Sequence, residues 1–187
     1  MHEPRGTLFL IVGPSGAGKD TLIDGARTAL ASDPRYVFPR RAVTRAPAAG
    51  EDHVSMSAED FEVAQARGEF ALAWGAHGLH YGIPRAIDEE LRRGRHVLVN
   101  VSRAVLPEAR RRYRPLRIVE VTAPVQVLAE RLARRGRESA AEIAERLNRS
   151  GAIAVEGPDV TRIETTGTIE ESVGALLAVL KSAAEKA

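Results

Sequence analysis

The stretch "TLFLIVGPSGAGKD", Thr7 to Asp20, constrains the fold more than any other part of the chain. Residues 7–13 are a continuous apolar run, the pattern of a strand buried on both faces of a parallel sheet. The run passes through a glycine-rich turn into a segment with apolar positions at Leu22, Ile23, Ala26 and Leu30, a helical spacing. A strand, a glycine turn and a helix in direct succession make a cradle for phosphate. Backbone N–H groups and the helix N-terminus face the anion, and a lysine reaches its outer oxygens. Here the cradle is Gly13, Pro14, Ser15, Gly16, Ala17, Gly18, Lys19, Asp20 and Thr21. It matches G-x-x-x-x-G-K-[ST] except at Asp20, where the pattern places a hydroxyl for magnesium. The mismatch has three readings: a worn loop, a chance match, or a loop that has moved its negative charge.

Beyond the loop, strand and helix signals alternate. Strands are expected near 36–44, at "HVLVNV" (96–101), "LRIVEVT" (116–122) and "VTRIETT" (160–166), with helices between them. Ser57 with Asp60, Ser139 with Glu142 and Thr168 with Glu171 have capping-box spacing, and the first predicts a helix over 58–67. Such alternation implies an α/β fold with a mainly parallel sheet. Residues 40–84 break the pattern. There a turn-rich loop, "APAAGEDH", precedes the helix, and "FALAW" and "LHYGI" predict two short strands joined by "GAHG". Pro84 is placed to start a helix ending near Gly94. We expect this stretch to be a substrate-binding insert within a single domain spanning residues 1–187.

Composition narrows the class. A chain of 187 residues, 44% hydrophobic and 28% charged, reads as a soluble globular domain. No run approaches the ~20 apolar residues of a membrane helix. The N-terminal apolar run ends in a glycine loop, so neither a leader nor a membrane partner is expected, and a cytoplasmic enzyme is. The chain has no cysteine, which removes disulfides and thiolate metal sites. A net charge of +2 with 4% aromatics supplies neither the field nor the stacking platforms of a nucleic-acid binder. Self-association into a homo-oligomer is left open. Only three of the 27 basic side chains are lysine, and arginine is the better bidentate phosphate ligand.

Arginine concentrates in "ERLARRGRESAAEIAERLNRS" (130–150), where Arg131, Arg134, Arg135, Arg137, Arg146 and Arg149 flank one glycine. Like charges around one turn repel unless an anion meets them. A lid at about 131–150, closing on a nucleoside triphosphate, supplies that anion, since phosphoryl transfer is mostly positioning and charge stabilisation. Arg131, Arg135 and Arg146 are therefore the expected catalytic arginines beside Lys19.

"GPSGAGK", "VTRAPAAGE", "YG" and "ERLARRG", in this order, resemble the guanylate kinase family of P-loop phosphotransferases over nearly the whole chain. The resemblance implies a P-loop nucleoside-monophosphate-kinase-like three-layer fold with a mainly parallel central sheet, an insert at about 40–84 and an arginine-bearing lid. It implies ATP as co-substrate with Mg2+, and acceptor-phosphate roles for Arg45 and Tyr81. The departures point to another acceptor. Position 48, an arginine in that family, is Ala48; His53 stands where a phosphate-binding tyrosine is usual; and "EFALAW" lacks the glutamate that reads guanine. A purine site needs groups matched to the base edge, because unmatched buried groups are heavily penalised. The strand "VLVNVSRA" aligns with the family's "LDID", whose acids lie near magnesium, but carries Asn100 and Ser102. An acid missing there and present at Asp20 implies a relocated magnesium ligand, direct or through water, since this ion takes few carboxylates and several waters.

Together, "GKD", "FALAW-x-A-x-G-L-x-YG", "VLVN-x-SRA-x-LP-x-AR" and "RL-x-x-RGRE" resemble one branch, the ribose 1,5-bisphosphate phosphokinases associated with phosphonate breakdown. This implies transfer from ATP to ribose 1,5-bisphosphate, giving ADP and 5-phosphoribosyl 1-diphosphate. An acceptor without a base accounts for the missing guanine readers. Its two phosphates make Arg45, Tyr81, Asn100, Ser102 and Arg103 the expected small-molecule ligands. The reacting phosphate is already largely ionised near neutral pH, so no general base is assigned. His53, His77 and His80 are expected to be structural or surface groups, and Trp74 a core residue. The rival readings are guanylate kinase itself and a non-catalytic guanylate-kinase-like module that binds proteins. Retention of Gly13, Gly18 and Lys19 argues against the module.

Overall fold

The computed structural model describes residues 5–46, 52–135, 143–144, 147 and 155–184. Along the chain run β1 (Leu8–Val12), α1 (Lys19–Ala29), β2 (Tyr36–Val37), β3 (Arg41–Val43), β4 (His53–Ser55), α2 (Ala58–Ala66), β5 (Phe70–Ala76) and β6 (Leu79–Pro84). Then come α3 (Ile87–Arg92), β7 (His96–Asn100), a 3-10 turn (Arg103–Val105), α4 (Leu106–Arg112), β8 (Leu116–Thr122), α5 (Val125–Arg135), β9 (Val160–Glu164) and α6 (Ile169–Ala184).

The apolar run of β1 becomes the middle of a five-stranded sheet ordered β2-β7-β1-β8-β9, with every neighbouring pair parallel. All five β1 side chains are fully buried, because helices cover both faces. Leu8, Leu10 and Val12 pack with Val97, Val99 and Ile118 against Ile87, Leu91 and Leu106 of α3 and α4. Phe9 and Ile11 pack with Leu98, Val119 and Val121 against Leu22 and Ile23 of α1 and Leu176 and Leu180 of α6. Each such side chain contributes about 1.5–3 kcal/mol on burial, so this strand alone anchors the three layers. With β7 on one side of β1 and β8 on the other, the connections diverge at its carboxyl end, where open α/β sheets bind ligands. The glycine loop leaves from that point.

The strands β3 to β6 form a second sheet, ordered β4-β3-β6-β5, in which β3 and β4 are parallel and the other pairs antiparallel. Ala71, Leu72 and Ile83 fix it to the core on the α3–α4 face. The turn between β5 and β6 is tighter than "GAHG" suggested. Only His77 (φ 53) and Gly78 (φ 72) lie outside the strands, the paired positive φ of a type I′ hairpin.

Two local expectations are corrected. Pro84 ends β6, paired with Phe70, and α3 starts at Ile87; proline lacks an N–H, so it is tolerated at a strand end as well as at a helix start. His53 opens β4 beside Arg41 of β3 where a loop was expected. The N-cap at Ser57 and the full capping box at Thr168 are formed. Asp60 N donates to Ser57 Oγ (3.0 Å), Glu171 N to Thr168 Oγ1 (3.1 Å), and Thr168 N back to Glu171 Oε2 (2.9 Å). The box at Ser139 lies outside the described residues. Among those described, no helix is long and apolar enough to cross a membrane.

Candidate active site

Gly13 turns the chain out of β1 with φ +148, and a Cβ there would fall 2.1 Å from the Val121 carbonyl oxygen. Only glycine lets the loop pass β8 so closely. Gly18 (φ 89) caps α1, and Lys19 begins it. The Lys19 ammonium folds back over the loop and donates to the carbonyl oxygens of Gly13 and Pro14, both at 2.8 Å. The outer side of the loop is clamped as well. Buried Thr165, just past β9, sets its Oγ1 2.9 Å from the Ala17 carbonyl oxygen and 3.2 Å from that of Thr122. Arg131 of α5 donates to Thr165 Oγ1 (2.9 Å), to the Thr165 carbonyl (2.6 Å) and to the Gly16 carbonyl (3.3 Å).

Arg131 was expected on the transferring phosphoryl group; it is engaged as a brace for the loop backbone. Sequence reasoning did not single out Thr165. Its only signal was its place at the carboxyl end of a parallel strand.

On the inner side of the loop lies a cleft of about 410 Å3. One wall is the loop itself with Lys19, Asp20 and Thr21; the other is the second sheet with Arg45, Trp74, His77 and Tyr81; Asn100 and Ser102 close one end. Four of the five expected substrate residues (Arg45, Tyr81, Asn100 and Ser102) are therefore gathered opposite the phosphate loop. Asn100 Nδ2 donates to Asp20 Oδ1 at 2.7 Å, so the loop acid faces the end of β7, where the guanylate kinase resemblance placed its own acid. Among the described residues no three metal-ligating side chains cluster. A lone carboxylate beside triphosphate oxygens still suits magnesium, which keeps several waters. Ser102 Oγ accepts from Ala104 N (3.2 Å) and opens the 3-10 turn.

Arg103, the fifth expected ligand, does not line the cleft. It donates to Oε1 of Glu120 at 3.3 Å, while Arg162 Nε takes Oε2 at 2.8 Å. The Glu120 side chain is only 5% exposed, and a carboxylate that deep requires paired charge. That requirement draws Arg103 beneath the site.

Trp74 is also corrected. It packs partly on the core but stacks on Tyr81, with ring centres 5.4 Å apart and planes 6° from parallel, and so faces the cleft. His53 is buried. Burial, then the charges of Arg45, Arg41 and Arg40, hold its pKa below the ordinary histidine value, so the ring is neutral at pH 7. It lines a smaller cavity of about 60 Å3 that meets the cleft at Asp20, Arg41 and Asn100. His77 lies on the cleft wall, and His80 is exposed with its backbone N–H on Thr44 Oγ1. A further cavity of about 360 Å3, on the far side of the loop, is lined by Gly16, Leu22, Arg131, Arg134, Thr165 and Ile169. Arg135 closes α5. Arg137, Arg146 and Arg149, and with them most of the expected lid, lie outside the described residues, as does Ala48.

No family model matches the chain. Among curated proteins, ribose 1,5-bisphosphate phosphokinase PhnN of Brucella melitensis is 47% identical over 184 residues, covering 98% of this chain and 96% of its own. The protein of the same name from Methylobacterium radiotolerans is 48% identical over 177 residues, 95% of this chain and 98% of its own. That of Acidiphilium cryptum is 53% identical over 164 residues, 87% of each. Among solved structures, guanylate kinase from Anaplasma phagocytophilum matches 97% of this chain and 88% of its own, with a TM-score of 0.71 at 19% identity. That likeness is one of fold.

Proposed function

The chain belongs to the ribose 1,5-bisphosphate phosphokinase family, and on that premise we propose that it transfers the γ-phosphoryl group of ATP to the 1-phosphate of ribose 1,5-bisphosphate. The products are ADP and 5-phosphoribosyl 1-diphosphate. The observation that carries the reading is the cleft itself: Lys19 and the glycine loop on one wall, Arg45 and Tyr81 on the other. That is the arrangement for bringing a phosphate acceptor against a triphosphate.

We assign the nucleoside half of ATP to the cavity beyond the loop, between Arg134 and Ile169. The triphosphate then follows the backbone N–H groups from Gly13 to Thr21 into the cleft. An oxygen of the acceptor's 1-phosphate attacks the γ-phosphorus as the bond to the β-phosphate bridging oxygen breaks, and ADP leaves with that electron pair. The attacking oxygen carries no proton to remove, so charge stabilisation does the work. Lys19 exchanges its loop carbonyls for the outer phosphate oxygens. Arg135 and Arg146 are proposed to close over the transferring group, with Arg131 keeping the loop in shape. Asp20, steadied by Asn100, would hold magnesium, which would supply positive charge to offset the negative charge of the phosphates.

Coupled ADP-release assays with ribose 1,5-bisphosphate and GMP, run side by side, test the proposal. Turnover of ribose 1,5-bisphosphate with little on GMP is expected. A higher kcat/KM for GMP replaces it with guanylate kinase activity.

A further inference from the structure

Arg41 was not singled out in the sequence, yet it occupies the junction of the two acceptor-side cavities. It lines both the large cleft and the small one behind it. Its guanidinium lies over the Tyr81 ring at 5.6 Å from the centre, and Tyr81 is stacked on Trp74. The strand order β3-β6-β5 places Tyr81 between the other two, so arginine, tyrosine and tryptophan form one layered stack. A guanidinium on an aromatic face keeps its plane and loses little freedom when it later binds an anion.

Asp20, Asp24 and Asp52 line the small cavity with Arg41, and each has another partner, Arg27 for Asp24 at 2.9 Å. Asp52 is engaged by Arg40 (2.6 Å) and Arg27 (3.3 Å), and Asp20 accepts from Asn100. His53, beside Arg41 in the sheet, is neutral. Among the described residues no carboxylate lies within ion-pair distance of Arg41. The small cavity it borders, about 60 Å3, has room for roughly two to four waters, and a purine does not fit there. A guanidinium held in plane by the stack, with no ion-pair partner among the described residues, is suited to receive an anion.

We propose that Arg41 binds the second, non-reacting phosphate of the acceptor and thereby selects a sugar bisphosphate over a nucleoside monophosphate. The inference rests on the acceptor assignment above. It also accounts for how the site does without an arginine at position 48: the second cation comes from β3 and is held by the stack.

The test is competition against ribose 1,5-bisphosphate by its two halves, ribose 5-phosphate and ribose 1-phosphate, in the full-length enzyme and in Arg41→Gln. Ribose 5-phosphate carries only the second phosphate, and its inhibition constant should rise roughly 10- to 150-fold in the variant, the range for losing a hydrogen bond to a charged group. The constant for ribose 1-phosphate should stay within about three-fold, because that ligand never reaches Arg41. KM for the bisphosphate should rise with the first, and kcat should change little. Arg41→Lys, which keeps the charge without the planar fork, should fall between. Equal weakening of both halves, or weakening of ribose 1-phosphate alone, overturns the assignment. An unmodified enzyme that does not turn over ribose 1,5-bisphosphate overturns the acceptor reading beneath it.

Discussion

Replacing Asp20 by serine restores the usual hydroxyl of a phosphate loop, and we expect it to harm the enzyme. Asn100 Nδ2 lies 2.7 Å from Asp20 Oδ1, so the carboxylate is aimed at the end of β7, and among the described residues it is the one acid lining the cleft. Asp20 is exposed, so the water-like end of the Coulomb scale applies. Two unit charges about 4 Å apart then interact by about 1 kcal/mol, and a divalent ion with one carboxylate by about 2 kcal/mol. At about 1.36 kcal/mol per decade, that is roughly 30-fold in magnesium affinity. Asp20→Ser should therefore raise the half-saturating magnesium concentration about 30-fold, with kcat largely recovered at saturation. Adding Asn100→Asp places an acid within a hydrogen-bond length of the lost one, and should return the requirement to within several-fold. The assay is ADP release titrated with magnesium at constant free ATP, on the single and double variants. The competing account is that Asp20 only complements the helix N-terminus, a stability effect of about 0.3–1 kcal/mol. A variant whose magnesium curve matches the native one, while its melting temperature drops, refutes the relocated-acid argument.

Lys19→Ala removes the ammonium held over the loop by the Gly13 and Pro14 carbonyls. Turnover should fall at least ~10²–10³-fold with the fold intact by circular dichroism; a loss of only a few-fold takes the lysine out of the mechanism. His96 is buried, accepts from Thr7 N through Nδ1 (3.0 Å), and has its pKa lowered by burial and then by the charge of Arg35. The unfolded chain takes up this proton first, so the stabilisation is complete above the ordinary value of about 6.5 and is lost as pH falls below it. Thermal melts from pH 8 to 5 should be steeper for the native chain than for His96→Gln; equal slopes remove His96 from the acid response.

What was legible in the sequence was what depends on local pattern. Continuous apolar runs gave the parallel strands, since a strand covered on both faces has no polar side to show. The loop declared itself because its conformation admits few residues: Gly13 has a carbonyl where a Cβ would be. The insert strands and capping boxes followed from turn and cap chemistry. What stayed hidden were choices of partner between distant segments. Arg103 looked like a phosphate ligand because nothing in "VSRA" reveals that Glu120, seventeen residues on, would be buried and need two arginines. The partners of Arg131 were hidden for the same reason: here they are a threonine and a carbonyl of the loop. Arg41 went unremarked because its importance comes from an aromatic stack assembled across three strands.

The likeness to guanylate kinase, at 19% identity, covers nearly the whole chain, so the scaffold alone does not choose the acceptor. That choice falls to a few side chains on the second sheet and at the end of β7. An acceptor with a base asks for a shaped polar edge; an acceptor with a second phosphate asks for a cation at a set distance from the first. The two demands are incompatible in one small space, because a guanidinium beside a neutral base edge loses hydration without gaining a counter-ion. Arg41, stacked on Tyr81 and in no ion pair among the described residues, is the group proposed to answer the second demand. The same reasoning bears on where the acid at the β7 end is carried. With the acid on the loop and an amide at Asn100, one carboxylate stands where the phosphate loop opens into the cleft, and the β7 end itself carries no charge. Loop and strand therefore act as one unit in this site, joined by the Asn100–Asp20 hydrogen bond, and the single and double variants at these two positions test that pairing.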